Sequence, residues 1–368
     1  MNKIALVIPT IRENCFRDLV DRWGPMGLFD QCDLILMEDN PKKTFALEKI
    51  LPNNFSVHLC WEDIKNDLGF KEAIIPRRSD TVRSYGYYYA WKDGSYDYVL
   101  TLDDDCYPPS METDGYEYKD AKEFVDTHLF AINGKTKWFN TLNNVKPRGI
   151  PFYKRGTRDD IIVNHGLWTN VIDYDAPTQL VDPKPENFDF SSTVVPHGSY
   201  FPMCGMNVMW KAEYTALMYH LLMGQEIGDV VAATEVGQRD VHLTVKFPFD
   251  RFGDIWCGIL MKKCADILGK VVTTGTPYIR HERASNPFTN LKKEANGLEV
   301  NEDFWEYVDA FDTPELTDGR ESAAELYFYL GKYIEKYTKF PEYVPYFIKL
   351  GKAMSLWAEL FEDDRGEG

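Results

Sequence analysis

Asp103-Asp104-Asp105 closes the apolar run Tyr98-Val-Leu-Thr-Leu102 and is followed at once by Cys106-Tyr107-Pro108-Pro109. Carboxylates crowded at the end of a buried strand suit a hard divalent cation, which takes anionic oxygens as ligands. An acidic triplet alone is also what a solvated loop looks like. The apolar strand before it and the proline pair after it favour the metal reading, because open α/β sheets bind ligands beyond the carboxyl ends of their strands. The spacing lets Asp103 and Asp105 reach a metal and a nucleotide from one side, with Asp104 as helper or structural partner. Positive charge that could meet a phosphate sits at Arg77, Arg78 and Arg83, at Lys146 and Arg148, and at Lys154, Arg155 and Arg158. The 368-residue chain carries a formal charge of −17. That excess argues against nucleic acid and anionic membrane as partners, since both reward a basic face, and leaves a phosphorylated small molecule open.

These residues need elements to position them. Residues 3–8 read as a buried first strand ended by Pro9 and Thr10, and 15–23 as a short helix. The run 33–37 reads as a second strand ending in Glu38-Asp39-Asn40-Pro41, and 56–60 as a third. A helix over 79–92 and a strand over 97–102 deliver the aspartates. Alternating strands and helices build a parallel sheet with crossover helices, so the fold class is α/β. Residues 107–120 and 142–200 are expected to be long loops over a site, 211–223 and 253–268 helical, and 320–361 an aromatic helical appendage. The expected division is a catalytic domain over 1–300 and a helical extension over 301–368 packed on it, whose aromatics suggest self-association. No run approaches the ~18 apolar residues of a membrane span, and residues 1–9 are too short for a signal peptide. Seven cysteines without a CxxC or zinc spacing read as reduced thiols, so the expected address is the cytosol. No GxGxxG is present, which leaves a Rossmann-bound flavin or NAD without support.

Beyond these patterns, an ordered set of phrases resembles the reversibly glycosylated polypeptide family, whose plant members are UDP-arabinopyranose mutases. The set comprises Val7-Ile-Pro-Thr-Ile-Arg12, Leu102-Asp-Asp-Asp-Cys106, Phe139-Asn-Thr141, Arg148-Gly-Ile-Pro-Phe152, Asn164-His-Gly-Leu-Trp168 and Asp173-Tyr-Asp-Ala-Pro-Thr-Gln179. It continues with Phe201-Pro-Met-Cys-Gly-Met-Asn207, Pro277-Tyr-Ile279 with His281, Ala284-Ser-Asn-Pro-Phe288, and Asn290-Leu-Lys-Lys-Glu294. The resemblance runs from about residue 3 to about residue 300 and more faintly beyond. It implies a GT-A-like nucleotide-sugar-binding fold, Mn²⁺ or Mg²⁺, and a UDP-sugar substrate whose pyranose and furanose forms are interconverted without flavin. It also implies reversible glycosylation of an arginine, which matches Arg148, with the second arginine of that region at Arg155. The chain departs from the plant pattern around 107–120, around 72–95, and at Arg280-His-Glu-Arg283, which leaves the identity of the sugar open.

Under that resemblance the metal ligands are Asp103, Asp105 and His281. The nucleotide is expected to meet Pro9, Thr10 and Arg12 through backbone and guanidinium groups, with Asp39, Asp103 and Asp104 beside it and Arg83 pairing the diphosphate. His165, Trp168 and Asp173 are expected to line the sugar pocket. Arg148 is the implied nucleophile, but a guanidinium is normally charged (pKa above ~12) and needs a neighbouring base. Asp254, in Phe252-Gly-Asp-Ile-Trp256, is the candidate for it, with a helix N-cap as its plain alternative. A mutase, a self-glycosylating or sugar-exporting transferase, and a non-catalytic UDP-sugar-binding protein all remain open on these residues, as does a role for Arg148 in merely stabilising departing UDP.

Overall fold

A computed structural model describes residues 2–51, 56–138, 148–151, 156–181, 191–224, 246–283, 285–312 and 322–363. Its centre is one sheet built from β1 (Ile4–Thr10), β2 (Asp33–Glu38), β3 (Ser56–Leu59), β4 (Tyr98–Leu102), β5 (Cys106–Tyr107), β6 (Ile161–Asn170), β7 (Ser192–Val194), β8 (Asn207–Lys211) and β9 (Val271–His281). The strand order is β3-β2-β1-β4-β8-β6-β9-β5, with β7 also pairing β9. Strands β3, β2, β1, β4, β6 and β9 run one way, and β8, β5 and β7 run against them. The expected α/β class, mostly parallel sheet and C-terminal helices are all present.

Strand alternation divides the interior into two cores. In β1, Ile4, Leu6 and Ile8 face a core shared with the helices Glu13–Trp23 and Ala121–Asn133. Ala5 and Val7 face the opposite core, where the helices Arg83–Asp93 and Gly253–Ile267 and the C-terminal pair Ala323–Ile334 and Val344–Asp363 pack. Gly86 lets the Arg83–Asp93 helix lie directly on β1, because a Cβ there would come within 2.6 Å of Val7 Cγ1. Among the described residues no helix is long and apolar enough to cross a membrane.

Three expectations change. The 211–223 stretch is not an α-helix: β8 runs through Lys211, and only a 3₁₀ segment, Ala212–Leu217, follows. Within 142–200, expected as loop, β6 is a ten-residue strand in the middle of the sheet. Its inward polar residues hid it, because Asn164 satisfies its buried amide on His128 (2.9 Å) and on the Thr276 carbonyl (3.0 Å). Pro9 and Thr10 lie within β1 rather than ending it at residue 8.

This topology decides where function can sit. Parallel strands place the carboxyl ends of β1, β2, β4, β6 and β9 along one edge, and the antiparallel β8 brings its amino end to the same edge. Thr10, Asp39, Asp103, Cys204–Met206, Asp173 and His281 all follow or precede those ends.

Candidate functional site

The three aspartates diverge as they leave β4. Asp104 turns inward and is buried, accepting hydrogen bonds from the Thr10 hydroxyl and from Arg12, whose Nε lies 3.0 Å from Oδ2. Burial raises the Asp104 carboxyl above the ordinary range against the pull of Arg12 and Thr10. For Arg12, burial works against the charge, but the bond and fields of Asp104 and Asp105 outweigh it and hold the guanidinium charged. Asp103 accepts from Arg83 Nη2 at 2.7 Å, while Arg83 Nη1 donates to the Gly205 carbonyl at 2.7 Å and Nε to the Asp80 carbonyl at 3.2 Å. Asp105 meets Arg12 Nη2 at 3.1 Å, and its other oxygen lies 3.7 Å from His281 Nε2. Burial first, and then the neighbouring Asp103, raise the Asp105 carboxyl.

His281 ends β9 in the orientation of a metal-binding imidazole. Its Nδ1 lies 2.9 Å from the Val171 carbonyl, which can only accept, so Nδ1 carries the hydrogen. Its Nε2 faces the Asp105 carboxylate at 3.7 Å, a pair of donor types that suits a cation, and a carbonyl on the far ring nitrogen is the usual support of a ligating histidine. Asp103, Asp105 and His281 offer the donor types of a hard divalent ion, but among the described residues the group whose ligand atoms all lie within 4.8 Å of one another is Asp173, Cys204 and Asp254.

A cleft of about 640 Å³ opens beside these groups, within the ~300–1,000 Å³ usual for small-molecule sites. Of the residues expected to hold the metal, nucleotide or sugar or to act in catalysis, Arg12, Arg83, Asp103, Asp105, Asp173, Asp254 and His281 line it. Its described walls also carry Arg78, Asp80, Asp250, Arg251, Arg283 and Lys293, so six cations (Arg12, Arg78, Arg83, Arg251, Arg283, Lys293) face six carboxylates (Asp80, Asp103, Asp105, Asp173, Asp250, Asp254). The chain's acidic excess is therefore absent where an anionic ligand would enter.

In the same cleft, Asp254 stands in the first turn of Gly253–Ile267, inside the helix rather than at its N-cap, which is Phe252. Its Oδ2 accepts from Gly205 N–H at 2.8 Å and its Oδ1 from Ile255 N–H at 2.9 Å. Burial, then the charges of Asp80 and Asp173, push its carboxyl up to about 7. Asp173 accepts from the Cys204 thiol at 3.4 Å and lies 3.7 Å from Arg251 Nη2, and burial raises it as well. Arg251 is anchored by Glu294, which takes its Nε at 2.8 Å and the Ala176 N–H at 2.7 Å.

Gly205 links Arg83 to Asp254. Its carbonyl holds Arg83, its N–H holds Asp254, and a Cβ would come within 2.8 Å of His220 and 3.2 Å of both Arg83 and Asp254. Among the described residues, the four non-glycine positive-φ positions are Arg78, Asn170, Leu221 and Arg251. Arg78 and Arg251 line the cleft, and Asn170 donates to the His281 carbonyl at 3.0 Å. Backbone strain of this kind persists where surrounding contacts over-determine it, commonly at functional sites.

Other expected residues stand elsewhere. His165 is buried behind the cleft, with Nδ1 2.9 Å from Thr274 Oγ1 and Nε2 accepting the Cys204 N–H at 3.3 Å, and burial lowers its pKa to about 4. Trp168 packs edge-on to His165 and is absent from the described cleft lining. Asp39 is buried and accepts from Trp61 Nε1 at 2.6 Å, a bond that opposes the upward push of burial on its carboxyl. Pro9 pairs in register with Met37 and, lacking an N–H, offers no donor. Arg148 is exposed and is not among the described lining residues, and Arg155 lies outside the described residues. Sequence reasoning missed Asp80, Cys204, Gly205 and Arg251. The last adjoins Phe252-Gly-Asp254, and the middle two lie within a quoted phrase, but nothing in their spacing signals that they meet.

The chain is 35% identical over 374 residues to a probable UDP-arabinopyranose mutase 1 from Pisum sativum, covering 98% of this chain and 91% of the relative. It is 34% identical to UDP-arabinopyranose mutase 1 from Arabidopsis thaliana, covering 98% and 93%. Among solved structures, glucosyl-3-phosphoglycerate synthase from Mycobacterium tuberculosis, in complex with Mn²⁺, UDP-glucose and phosphoglyceric acid, aligns over 82% of this chain and 79% of its own at 10% identity, with a TM-score of 0.39. The family model described as reversibly glycosylated polypeptide matches residues 1–365. With that match covering nearly the whole chain, the protein belongs to the reversibly glycosylated polypeptide family.

Proposed function

We propose that the protein is a flavin-independent, metal-dependent UDP-sugar mutase of GT-A-like architecture acting in the cytosol. It interconverts pyranose and furanose forms, with UDP-L-arabinopyranose and UDP-L-arabinofuranose as the pair, and is reversibly glycosylated on Arg148. The observation that carries this reading is the cleft itself, which gathers Asp103, Asp105, His281, Asp173 and Asp254 in one lining, with Gly205 bonded both to Arg83 and to Asp254. Relatives matching over nearly their whole length are named UDP-arabinopyranose mutases, which supports the activity.

Mn²⁺ or Mg²⁺ on Asp103, Asp105 and His281 would neutralise charge developing on the diphosphate as the anomeric bond breaks. The chain's own residues do the rest. Arg12 and Arg83 aim the acidic end, since each guanidinium is engaged with an aspartate of the triplet and Arg83 also with the Gly205 carbonyl. This gives Arg83 a positioning role in place of a direct clamp on the diphosphate. Thr10 and Arg12 hold Asp104 inward, which leaves Asp103 and Asp105 to face the ligand. Asp254, fixed by two backbone N–H groups and titrating near neutrality, can take and return a proton at the sugar end. Arg78, Arg283 and Lys293 offer the cations that a diphosphate or departing UDP needs.

A transferase that retains or exports the sugar without interconversion uses the same cleft, and the exposure of Arg148 outside the described lining favours it over a buried nucleophile. Incubation with UDP-arabinopyranose or UDP-arabinofuranose and Mn²⁺, followed by chromatographic separation of the two, decides between them. The mutase gives the same mixture from either side. UDP release or protein-bound sugar without interconversion would establish the transferase instead.

A further inference from the structure

Exchange between pyranose and furanose rings imposes a proton requirement however the sugar is held. When the C1–O bond to UDP breaks, the bonding pair leaves with the phosphate oxygen. The sugar hydroxyl that closes the new ring then forms a bond to C1 and sheds its proton. The C1–O bond of the old ring breaks with its electron pair remaining on that oxygen, which gains a proton, and a UDP oxygen re-forms the bond to C1. Nothing is oxidised and no proton is consumed, but one must pass from one sugar oxygen to another.

Resting on the mutase reading above, we infer that Asp173 and Asp254 form a carboxyl–carboxylate pair that accepts the proton from the attacking hydroxyl and delivers it to the oxygen released from the old ring. One oxygen of each carboxyl and the Cys204 sulfur lie within 4.8 Å of one another, and all three residues line the cleft that holds Asp103 and Asp105. Two carboxylates this close cannot both ionise without mutual cost, so the pair retains a proton to higher pH than either would alone. Both acids are fixed. Asp254 is held by the N–H groups of Gly205 and Ile255. Asp173 is held by the Cys204 thiol, which burial and then the charges of Asp173 and Asp254 keep protonated as a donor.

That thiol is set by a buried chain. His165 Nε2 accepts the Cys204 N–H at 3.3 Å, and its Nδ1 donates to Thr274 Oγ1 at 2.9 Å, an arrangement that requires a neutral ring. The lowered pKa of His165 keeps it neutral, which accounts for a conspicuous histidine standing behind the cleft rather than in it. The charged and titratable groups facing the pair are Asp80 and Arg83 from the segment Asp80–Asp93, Arg251 beside Asp173, Cys257 on the Asp254 helix, and Asp103 and His281. The elevated Asp254 carboxyl supports proton sharing near neutral pH.

The test compares wild type with Asp173→Asn and Asp254→Asn in the full chain with Mn²⁺. It follows UDP-arabinopyranose/UDP-arabinofuranose interconversion, UDP release and UDP affinity separately. The relay predicts an interconversion rate reduced about 100-fold or more in each variant, with UDP affinity within about threefold of wild type and UDP release persisting. Interconversion within about threefold of wild type in either variant overturns the relay, as does loss of UDP affinity in parallel with activity, which marks a structural role. An infrared titration of the ¹³C-aspartate-labelled wild type supplies a readout independent of turnover. The relay requires a protonated carboxyl band near pH 6 that Asp254→Asn removes, and absence of that band in wild type overturns it. A wild type that releases UDP without interconverting the rings refutes the mutase reading itself, a result distinct from a defect confined to the variants.

Discussion

Asp103, Asp104 and Asp105 are chemically identical neighbours that the fold sends to different partners: Arg83, the Thr10–Arg12 pair, and the space between Arg12 and His281. Their substitutions should therefore separate. Asp105→Asn should cut Mn²⁺-stimulated turnover by about 100-fold or more with little change in thermal stability, and a fully active variant would refute its place at the metal. Asp104→Ala removes the buried carboxylate held by the Thr10 hydroxyl and by Arg12, which is half-buried and keeps Asp105. Losing hydrogen bonds to a charged group costs about 1.5–3 kcal/mol, so this variant should unfold at lower denaturant, and an unchanged midpoint would mean that Asp104 does not hold Arg12. Asp254 adds a pH signature. Its folded value of about 7 exceeds the ~3.9 of an unperturbed aspartate. Between those values the folded state binds more protons than the unfolded one, so this group's contribution to stability falls as pH rises through that window. Asp254→Asn removes the titration, and the difference in melting temperature between variant and wild type should shift in favour of Asn from about pH 4 to about pH 7 and then level off. A constant difference across that range would remove the case for a raised carboxyl.

At the scale of elements, the site depends on where strands end. The antiparallel β8 brings Cys204, Gly205 and Met206 back to the edge where β4 delivers its aspartates, and Asp103 N–H reaches the Met206 carbonyl at 3.4 Å. Gly205→Ala would place a methyl against His220, Arg83 and Asp254 at once. It should lower kcat and raise the KM for UDP-sugar together, because Arg83, which positions Asp103, and Asp254 both shift. Equal effects on kcat and on stability alone would reduce Gly205 to a packing residue. The Pro287–Asn301 helix presents Asn286, Thr289, Asn290 and Lys293 to the cleft, and Asn286 Oδ1 caps it by accepting from Phe288 and Thr289 N–H at 3.0 and 3.1 Å. Loss of such a cap costs about 0.5–2 kcal/mol.

At the scale of the molecule, the C-terminal helices share the core beneath the sheet. Trp357 is fully buried, stacks on Tyr219 with ring centroids 5.2 Å apart, and donates Nε1 to the Ala216 carbonyl at 2.8 Å, while Tyr346 donates to the Leu222 carbonyl at 3.0 Å. Ala216, Tyr219 and Leu222 lead directly to His220 and so to the wall beside Gly205. Trp357→Ala should cost about 3–5 kcal/mol and unfold the whole chain in one transition. A separate transition of the C-terminal helices, with the sheet intact, would show that the division expected near residue 300 is an independent folding boundary.

The sequence by itself determined the α/β alternation, the acidic end of β4 and the ordered phrases of the family, because each is written in contiguous residues: apolar runs, a triplet, short motifs. It also marked Asp254 and Asp173 individually. It did not determine that they meet, that Asp104 turns away from its neighbours, or that His165 serves through Cys204. Nor did it expose β6, whose buried polar residues read as loop until Asn164 finds His128 and the Thr276 carbonyl. Those outcomes depend on contacts between residues some 30 to more than 100 positions apart along the chain. Only the assembled sheet, with β8 running back between β4 and β6, brings such partners to one edge and raises or lowers their pKa by burying them together.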